Sequence, residues 1–157
     1  MYRILIVCVG NICRSPMAEA ILRAHLGGDA YVRSAGLAAR VGAGVYPMAA
    51  ELLKENGLGL DRHCARQVDL RMLAEADLIL AMEHRQLRAL TAIAPPLRDR
   101  MHLLGRWKGM REIRDPCGRP REDFARTFEI IDASARAWRD RMSMNAGSRM
   151  CAVPAHT

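Results

Sequence analysis

A cysteine and an arginine near the start of the chain have the spacing and surroundings that nucleophilic attack on a phosphate-like anion requires. Cys8 directly follows the apolar run 4–7, and five residues separate it from Arg14. Ser15 and Pro16 come next, where a helix-forming stretch begins. The apolar run predicts a buried strand, and Pro suits the first turn of a helix. The sequence thus predicts a thiol at a strand end, a short loop of backbone amides and a helix N-terminus, which together can hold a dianion against a nucleophile.

Each residue type in this loop has a physical reason to be there. Cys8 is reactive as a thiolate, which loop N–H groups, the helix N-terminus and the Ser15 hydroxyl would stabilise. Arg14 presents a planar fork of donors that matches two oxygens of a phosphoryl group. Gly10 allows the backbone to turn tightly. Asn11 tolerates left-handed geometry, and its amide can fix the loop.

Chance does not readily produce this segment. In 157 residues with 5 cysteines and 22 arginines, composition alone gives a Cys with an Arg six positions later roughly 0.7 times. Requiring Ser at the next position lowers the expectation to roughly 0.02. The ordinary alternative is a buried cysteine ending a strand beside a serine that caps a helix. The added glycine, strand and proline favour the anion-binding interpretation.

The segment from Cys8 to Pro16 resembles the active-site loop of the low-molecular-weight protein tyrosine phosphatases. The resemblance extends over residues 3–142 without a large gap. The resemblance is strongest to the bacterial members that act on tyrosine autokinases of capsule and exopolysaccharide export. The further segments that carry it are Ser34-Ala35-Gly36, the loop 36–47, His63-Cys64-Ala65-Arg66, the stretch 77–82 and Asp115-Pro116.

The resemblance implies a reaction and a role for each catalytic residue. Cys8 would be the nucleophile and would become a phosphocysteine, while Arg14 binds the phosphoryl group. Asp115 would protonate the leaving phenol and then act as base for the hydrolytic water. From the residues alone Asp115-Pro116 could equally be only a turn, because sequence by itself does not bring residue 115 beside residue 8.

The resemblance also implies a phosphate-binding loop and the residues that support it. Ser15 would donate to the thiolate, and Asn11 would hold the loop with help from Ser34 and His63. Cys13 lies where the family has a second thiol that can form a reversible disulfide with Cys8, although it could equally be simple loop packing. The residues expected to bind phosphate or support the loop are Val9, Gly10, Asn11, Ile12, Cys13, Ser15, Ser34 and His63.

Two positions at the expected rim of the substrate slot depart from the family pattern. The family usually has an aromatic residue after Asp-Pro, but this chain has Cys117. Tyr46 stands before Pro47, where relatives often have Asp, and could supply an aromatic face instead. We expect the rim to consist of Arg40, Tyr46 and Cys117.

Three other functions fit parts of this pattern. Arsenate reductases share the fold and the Cys-loop-Arg start, but they use two further cysteines, and no such pair surrounds the stretch 78–82. A phosphoarginine phosphatase resembles the loop but carries Thr in place of Ile12, whose larger apolar side chain favours tyrosine. A non-catalytic phosphopeptide reader would keep Arg14 and lose Cys8 or Asp115, and this chain has both.

Length and composition indicate one globular domain. The chain has 157 residues, half of them apolar, and no apolar run near the ~20 residues of a membrane span. No signal peptide is recognisable, and an odd number of cysteines fits reduced thiols better than a disulfide framework. We therefore expect a cytoplasmic monomer that does not insert into membranes.

Charge and cysteine distribution argue against two other classes of site. The net charge is +7, yet the chain has only seven aromatic residues and they do not interleave with a basic stripe, so we expect no nucleic-acid partner. The cysteines and histidines are scattered without ligand spacing, so we expect no metal site and no cofactor. The partner should be a phosphotyrosine protein, and the resemblance favours a membrane tyrosine autokinase.

Alternating strands and helices predict an α/β fold, a four-stranded parallel sheet with helices on both faces. Ligands bind such sheets at the carboxyl ends of strands, where Cys8 would lie. We expect a single Rossmann-like phosphatase domain over 1–142 and a disordered tail over 143–157. The predicted strands are 3–8, 30–34, 78–82 and 101–104, and the predicted helices are 15–26, 47–56, 69–76, 83–93 and 120–142.

Overall fold

The computed structural model describes residues 1–109 and 111–150, and side chains as far as residue 146. Its elements lie close to the predicted ones. The four strands are β1 (Tyr2–Cys8), β2 (Ala30–Gly36), β3 (Leu78–Ala81) and β4 (Met101–Leu103). The five α-helices are α1 (Arg14–Leu26), α2 (Pro47–Glu55), α3 (Leu70–Glu75), α4 (His84–Ile93) and α5 (Arg121–Met150). Short 3₁₀ turns over Gly27–Asp29 and Pro95–Arg100 lead into β2 and β4.

The sheet has the order β2-β1-β3-β4, and every pairing is parallel. The predicted fold class is therefore confirmed. From β1 the chain crosses to β2 on one side and later returns to β3 on the other, so the winding direction reverses beside β1. Ligands of open α/β sheets bind at such a switch point, outside the carboxyl ends of the strands. Cys8, paired with Gly36, is the last residue of β1 and lies at this point.

Apolar side chains cover both faces of the sheet. Ile4 and Ile6 of β1 join the core that α1, α2 and α5 build on one face. Leu5 and Val7 point to the opposite face and pack with residues of α3 and α4. This alternation follows from the two-residue period of a strand. Burial on both faces explains why the sequence of β1 reads as a continuous apolar run.

Helix α5 contains the predicted apolar stripe but ends later than predicted. Phe124, Ile131 and Trp138 are buried against the core. The stripe stops near Met142, whereas the helix continues to Met150, so residues 143–150 are helical and not part of a disordered tail. The stripe marks where packing ends, and no proline interrupts the helix there. The rest of the predicted tail, residues 151–157, lies outside the described residues.

Among the described helices, none combines the length and apolar character needed to cross a bilayer.

Candidate active site

The loop that follows Cys8 is held from outside through its carbonyl groups. The carbonyl oxygens of residues 8–12 each accept a hydrogen bond from a neighbouring segment of chain. The donors, in order, are the backbone amides of Leu37, Ala38 and Arg40 at 3.0 Å each, the ring Nε2 of His63 at 2.7 Å and the backbone amide of Tyr46 at 2.7 Å. Every carbonyl from Cys8 to Ile12 is thus turned away from the centre of the loop.

This arrangement directs the N–H groups of the loop inward. In a trans peptide the N–H points opposite to the C=O of the preceding residue, and no peptide bond among the described residues is cis. The amides of residues 9–13 are therefore turned toward the space that the loop encloses. Converging N–H groups at the start of a helix form a binding site for an anion.

Asn11 is the hub of the loop. It is fully buried and has a φ of 56°, the left-handed geometry expected of this residue. Its Nδ2 donates to the hydroxyl of Ser15 at 2.8 Å and to that of Ser34 at 3.0 Å, and its Oδ1 accepts from the backbone N–H of Arg66 at 3.0 Å. Ser34 in turn donates to Glu19 at 2.5 Å. These bonds fasten the loop to α1, to β2 and to the segment that contains Arg66.

The thiol of Cys8 lies at the base of this loop. Its Sγ is buried and 2.9 Å from Oγ of Ser15. Because the Ser15 oxygen already accepts from Asn11, its own proton is available to donate to the sulfur. A hydroxyl donor beside a thiolate favours the charged form. The predicted grouping of Cys8, Asn11 and Ser15 is therefore present in the structure.

Arg14 is a buried cation fixed by two acceptors. It is 1% exposed, and its Nη1 donates to Oε1 of Glu83 at 2.5 Å and to the carbonyl of Ile113 at 2.8 Å. Burial raises the pKa of the Glu83 carboxyl, but hydrogen bonds and charges from Arg14 and Arg85 outweigh it and hold that pKa below its ordinary value. Glu83 therefore stays ionised and orients the guanidinium.

Sequence reasoning missed Glu83. The residue follows β3 by two positions, so it reaches the same sheet edge as Cys8, and it forms a capping box with Gln86 at the start of α4. A buried arginine requires a carboxylate partner. A search for acidic residues just beyond the predicted strand 78–82 would have found Glu83.

Asp115 lies beside Arg14 at the mouth of the site. Its Oδ2 is 3.8 Å from Nη2 of Arg14, and its side chain is 45% exposed. Its Oδ1 accepts the backbone N–H of Cys117 at 3.1 Å, which fixes the direction of the carboxylate. The fold thus brings residue 115 to the loop of residue 8, as the resemblance predicts.

The rim residues each adjoin the loop. Arg40 and Tyr46 donate their backbone amides to it, and the exposed side chain of Arg40 leaves the loop toward solvent. The ring of Tyr46 stacks on Phe124, with centroids 5.4 Å apart and planes 8° from parallel. Stacking holds one face of this ring against the core, so the position of the Tyr46 side chain is fixed.

The cysteines are less scattered than the sequence indicates. The ligand atoms of Cys13, Asp115 and Cys117 all lie within 4.8 Å of one another, whereas the sequence predicts no metal site because its cysteines and histidines lack ligand spacing. Burial strongly raises the pKa of the Cys13 thiol, and interactions with Cys117, Asp115 and Cys8 raise it further. Burial and Asp115 also raise the pKa of Cys117.

Comparison with known proteins defines the class to which this fold and site belong. The family model described as low molecular weight phosphotyrosine protein phosphatase matches residues 3–147. The chain therefore belongs to the low-molecular-weight phosphotyrosine protein phosphatase family.

The relatives narrow the class to bacterial enzymes. The low molecular weight protein-tyrosine-phosphatase Wzb of Salmonella typhi is 43% identical over 145 residues, which is 92% of this chain and 97% of that protein. The structure of Vibrio vulnificus Wzb in complex with benzylphosphonate has a TM-score of 0.86 and 40% identity, and covers 89% of this chain and 98% of that one. The YwlE arginine phosphatase from Geobacillus stearothermophilus has a TM-score of 0.88 and 28% identity, and covers 99% and 100%. This chain is a protein-tyrosine-phosphatase of the bacterial low-molecular-weight type, and the predicted resemblance is confirmed.

Proposed function

We propose that the enzyme hydrolyses phosphotyrosine in two steps through a phosphocysteine on Cys8. The observation that carries this proposal is the outward bonding of five successive carbonyls, which leaves the N–H groups of residues 9–13 facing a common centre above the thiol. A phosphoryl group seated there presents its phosphorus to Cys8. Its equatorial oxygens meet backbone donors and the guanidinium of Arg14, which is where charge develops during transfer.

In the first step the thiolate of Cys8 attacks phosphorus, and the bond from phosphorus to the phenolic oxygen breaks. Asp115 donates its proton to that oxygen, so tyrosine leaves as a neutral phenol. The hydrogen bond from the N–H of Cys117 and the nearby Arg14 aim the carboxyl at the mouth, where a leaving group would stand.

In the second step Asp115 is ionised and takes a proton from water. The water oxygen attacks phosphorus, the S–P bond breaks and inorganic phosphate departs. The hydroxyl of Ser15 then donates to the released thiolate, which makes Cys8 a better leaving group and restores the starting state.

The intermediate can be trapped with a variant that stalls the second step. With p-nitrophenyl phosphate the leaving group needs little help from an acid, so Asp115→Asn should still phosphorylate Cys8 but lack the base for hydrolysis. Rapid quenching followed by mass spectrometry should find one phosphoryl group on the peptide that contains Cys8. The matched variant Cys8→Ala/Asp115→Asn, which has no side-chain atom at residue 8 that can accept a phosphoryl group, should show none. Phosphate on another residue, or a burst of product without a phosphoenzyme, would contradict the mechanism.

A second candidate substrate is phosphoarginine, because the similarity to an arginine phosphatase covers nearly the whole chain. Ile12 separates the two possibilities, since its apolar side chain in the loop favours a phenyl ring over a guanidinium. We expect kcat/KM for a phosphotyrosine peptide to exceed that for the matched phosphoarginine peptide, and Ile12→Thr to narrow the difference. A higher value for phosphoarginine with the unaltered enzyme would reverse the assignment.

We infer that the physiological substrate is a membrane tyrosine autokinase of capsule or exopolysaccharide export. The resemblance to the bacterial members and the similarity to Wzb support this partner. A net charge of +7 would also attract an anionic phosphorylated segment. Asp115→Ala should retain such a kinase from a lysate and release it when vanadate is added. Capture that is unchanged in Arg14→Ala/Asp115→Ala would show that the contact is not phosphate-dependent.

A nucleophilic thiol must stay reduced, so we place the enzyme in the cytoplasm. We further expect it to act as a monomer, which light scattering after size-exclusion chromatography would test.

A further inference from the structure

We propose that Cys13, Asp115 and Cys117 form a binding site for Zn²⁺ at the mouth of the active site, and that bound zinc inhibits the enzyme. Binding of the metal depends only on these three side chains. Inhibition rests on the proposed function, because it requires Asp115 to be the general acid.

The geometry of the three ligands is close to what zinc needs. Their ligand atoms lie within 4.8 Å of one another. A tetrahedral zinc ion with Zn–S bonds near 2.3 Å separates its ligands by about 3.3–3.8 Å, so movements of about 1 Å complete the set. Asp115 and Gly118 are exposed, so the loop that carries Asp115 and Cys117 has room to make them.

The chemical type of the three ligand atoms determines which metal ion the site would bind. Two sulfurs and one carboxylate oxygen suit a soft, thiophilic dication and do not suit Mg²⁺ or Ca²⁺, which prefer oxygen ligands alone. Cys13 is buried, Cys117 half-buried and Asp115 exposed, so water reaches the fourth coordination position from outside. Each thiol that binds zinc releases its proton to solvent.

Electrostatics at the site favour a cation. The Asp115 carboxylate lies within 4.8 Å of the Cys13 sulfur, so a dication placed between them would be attracted by its negative charge. Arg14 is the opposing charge, 3.8 Å from Asp115, but Glu83 and the Ile113 carbonyl already balance its guanidinium. Coordination would withdraw Asp115 from the leaving group and place an ion where the substrate enters.

The two thiols come from distant parts of the chain, and Cys117 is the decisive one. Without a sulfur at 117 only Cys13 and Asp115 remain, which is too few ligands for tight binding. The inference is therefore particular to a chain with cysteine after Asp-Pro.

Cobalt is the probe for the binding test, because Co²⁺ bound by thiolates absorbs in the near ultraviolet in proportion to their number. The titration uses full-length Cys8→Ser, which removes the nucleophile as a competing ligand. We expect a two-thiolate absorption that Zn²⁺ abolishes by displacement. Cys8→Ser/Cys117→Ser should lose about half of it and bind about tenfold or more weakly. Cys8→Ser with Cys64→Ser and Cys151→Ser, which removes cysteines outside the site, should match the parent.

Two results would overturn the site: an unchanged absorption without Cys117, or no thiolate absorption in Cys8→Ser itself. Circular dichroism of the Cys117→Ser variants verifies that they fold. Because the titration measures no turnover, its outcome is independent of the proposed reaction.

An activity assay tests inhibition separately. Zinc should inhibit enzyme that retains Cys8, and a chelator should restore the rate. In Cys117→Ser the zinc concentration for half-inhibition, measured against that variant's own zinc-free rate, should rise about tenfold or more. Equal sensitivity of both proteins would refute inhibition through this site.

Discussion

Replacing Glu83 with glutamine isolates the charge that holds the buried arginine of the active site. Glutamine has nearly the same shape and can still accept a hydrogen bond from Arg14. A hydrogen bond to a charged acceptor contributes about 1.5–3 kcal/mol, roughly twice the value for a neutral one. Glu83→Gln should therefore lower the free energy of unfolding by about 1–2 kcal/mol. Removing the acceptor altogether, in Glu83→Ala, should cost about 2–4 kcal/mol, because Arg14 is then left buried without a carboxylate.

The loss of stability in Glu83→Gln should depend on pH. The pKa of Glu83 in the folded enzyme lies below its ordinary value of about 4.3. A carboxyl whose pKa is lower in the folded than in the unfolded protein stabilises the folded state at pH values above its unfolded-state pKa. This contribution disappears as the pH falls through its folded-state pKa. The difference between Glu83→Gln and the unaltered enzyme should thus be constant near neutral pH and shrink below about pH 4.

Urea denaturation followed by circular dichroism measures both effects. Glu75→Gln is the matched control, because Glu75 pairs with Arg71 on the exposed surface of α3, where an ion pair contributes about 0–1 kcal/mol. Competitive inhibition by inorganic phosphate should also weaken in Glu83→Gln, since Arg14 is less well oriented. If stability and phosphate affinity both equal those of the unaltered enzyme at pH 7, Glu83 does not position Arg14.

Substitutions at three further positions test the loop and the acid. Cys8→Ser should abolish turnover of p-nitrophenyl phosphate while still binding vanadate by calorimetry; residual turnover above background would remove Cys8 as nucleophile. Asp115→Asn should lower kcat/KM, which reports formation of the phosphocysteine, by about 10²–10⁴-fold for phosphotyrosine and much less for p-nitrophenyl phosphate, and an equal loss of kcat/KM for both would argue against proton donation. Asn11→Ala should lower the free energy of unfolding by about 2–4 kcal/mol. Asn11→Gly should be about 1 kcal/mol more stable than Asn11→Ala, because glycine tolerates the positive φ. Equal stability of these two variants would mean that the backbone at residue 11 is not strained.

The elements of the fold were predictable because their signals are local. The apolar run of β1 and the glycines at 27–28 mark the first strand and the end of α1 to within a residue or two. The end of α5 was predicted too early, since the apolar stripe reports on packing and helix continuation needs only the absence of a breaker. The order of the strands in the sheet was not predicted, because it depends on contacts between segments far apart in the chain.

Part of the candidate site was also predictable from local sequence. One short segment, residues 8–15, contains Cys8, Asn11, Arg14 and Ser15. Their grouping therefore follows from a short stretch of sequence. A search beyond the predicted strand 78–82 finds Glu83 as a candidate residue. Its contact with Arg14 and the proximity of Cys13 to Cys117 follow only from the fold, which brings the end of β3 and the loop before α5 to the same edge.

Most of the hydrogen bonds that hold the loop from outside do not depend on the side chains of their donor residues. Four of the five donors are main-chain amides, and two of them belong to Arg40 and Tyr46, which we predict to line the rim. Any amino acid except proline has the main-chain N–H that this bonding requires at those positions. Mutation there could retune which phosphorylated partner is preferred while leaving the catalytic scaffold undisturbed, so related enzymes can diverge in targets without rebuilding their reaction centre.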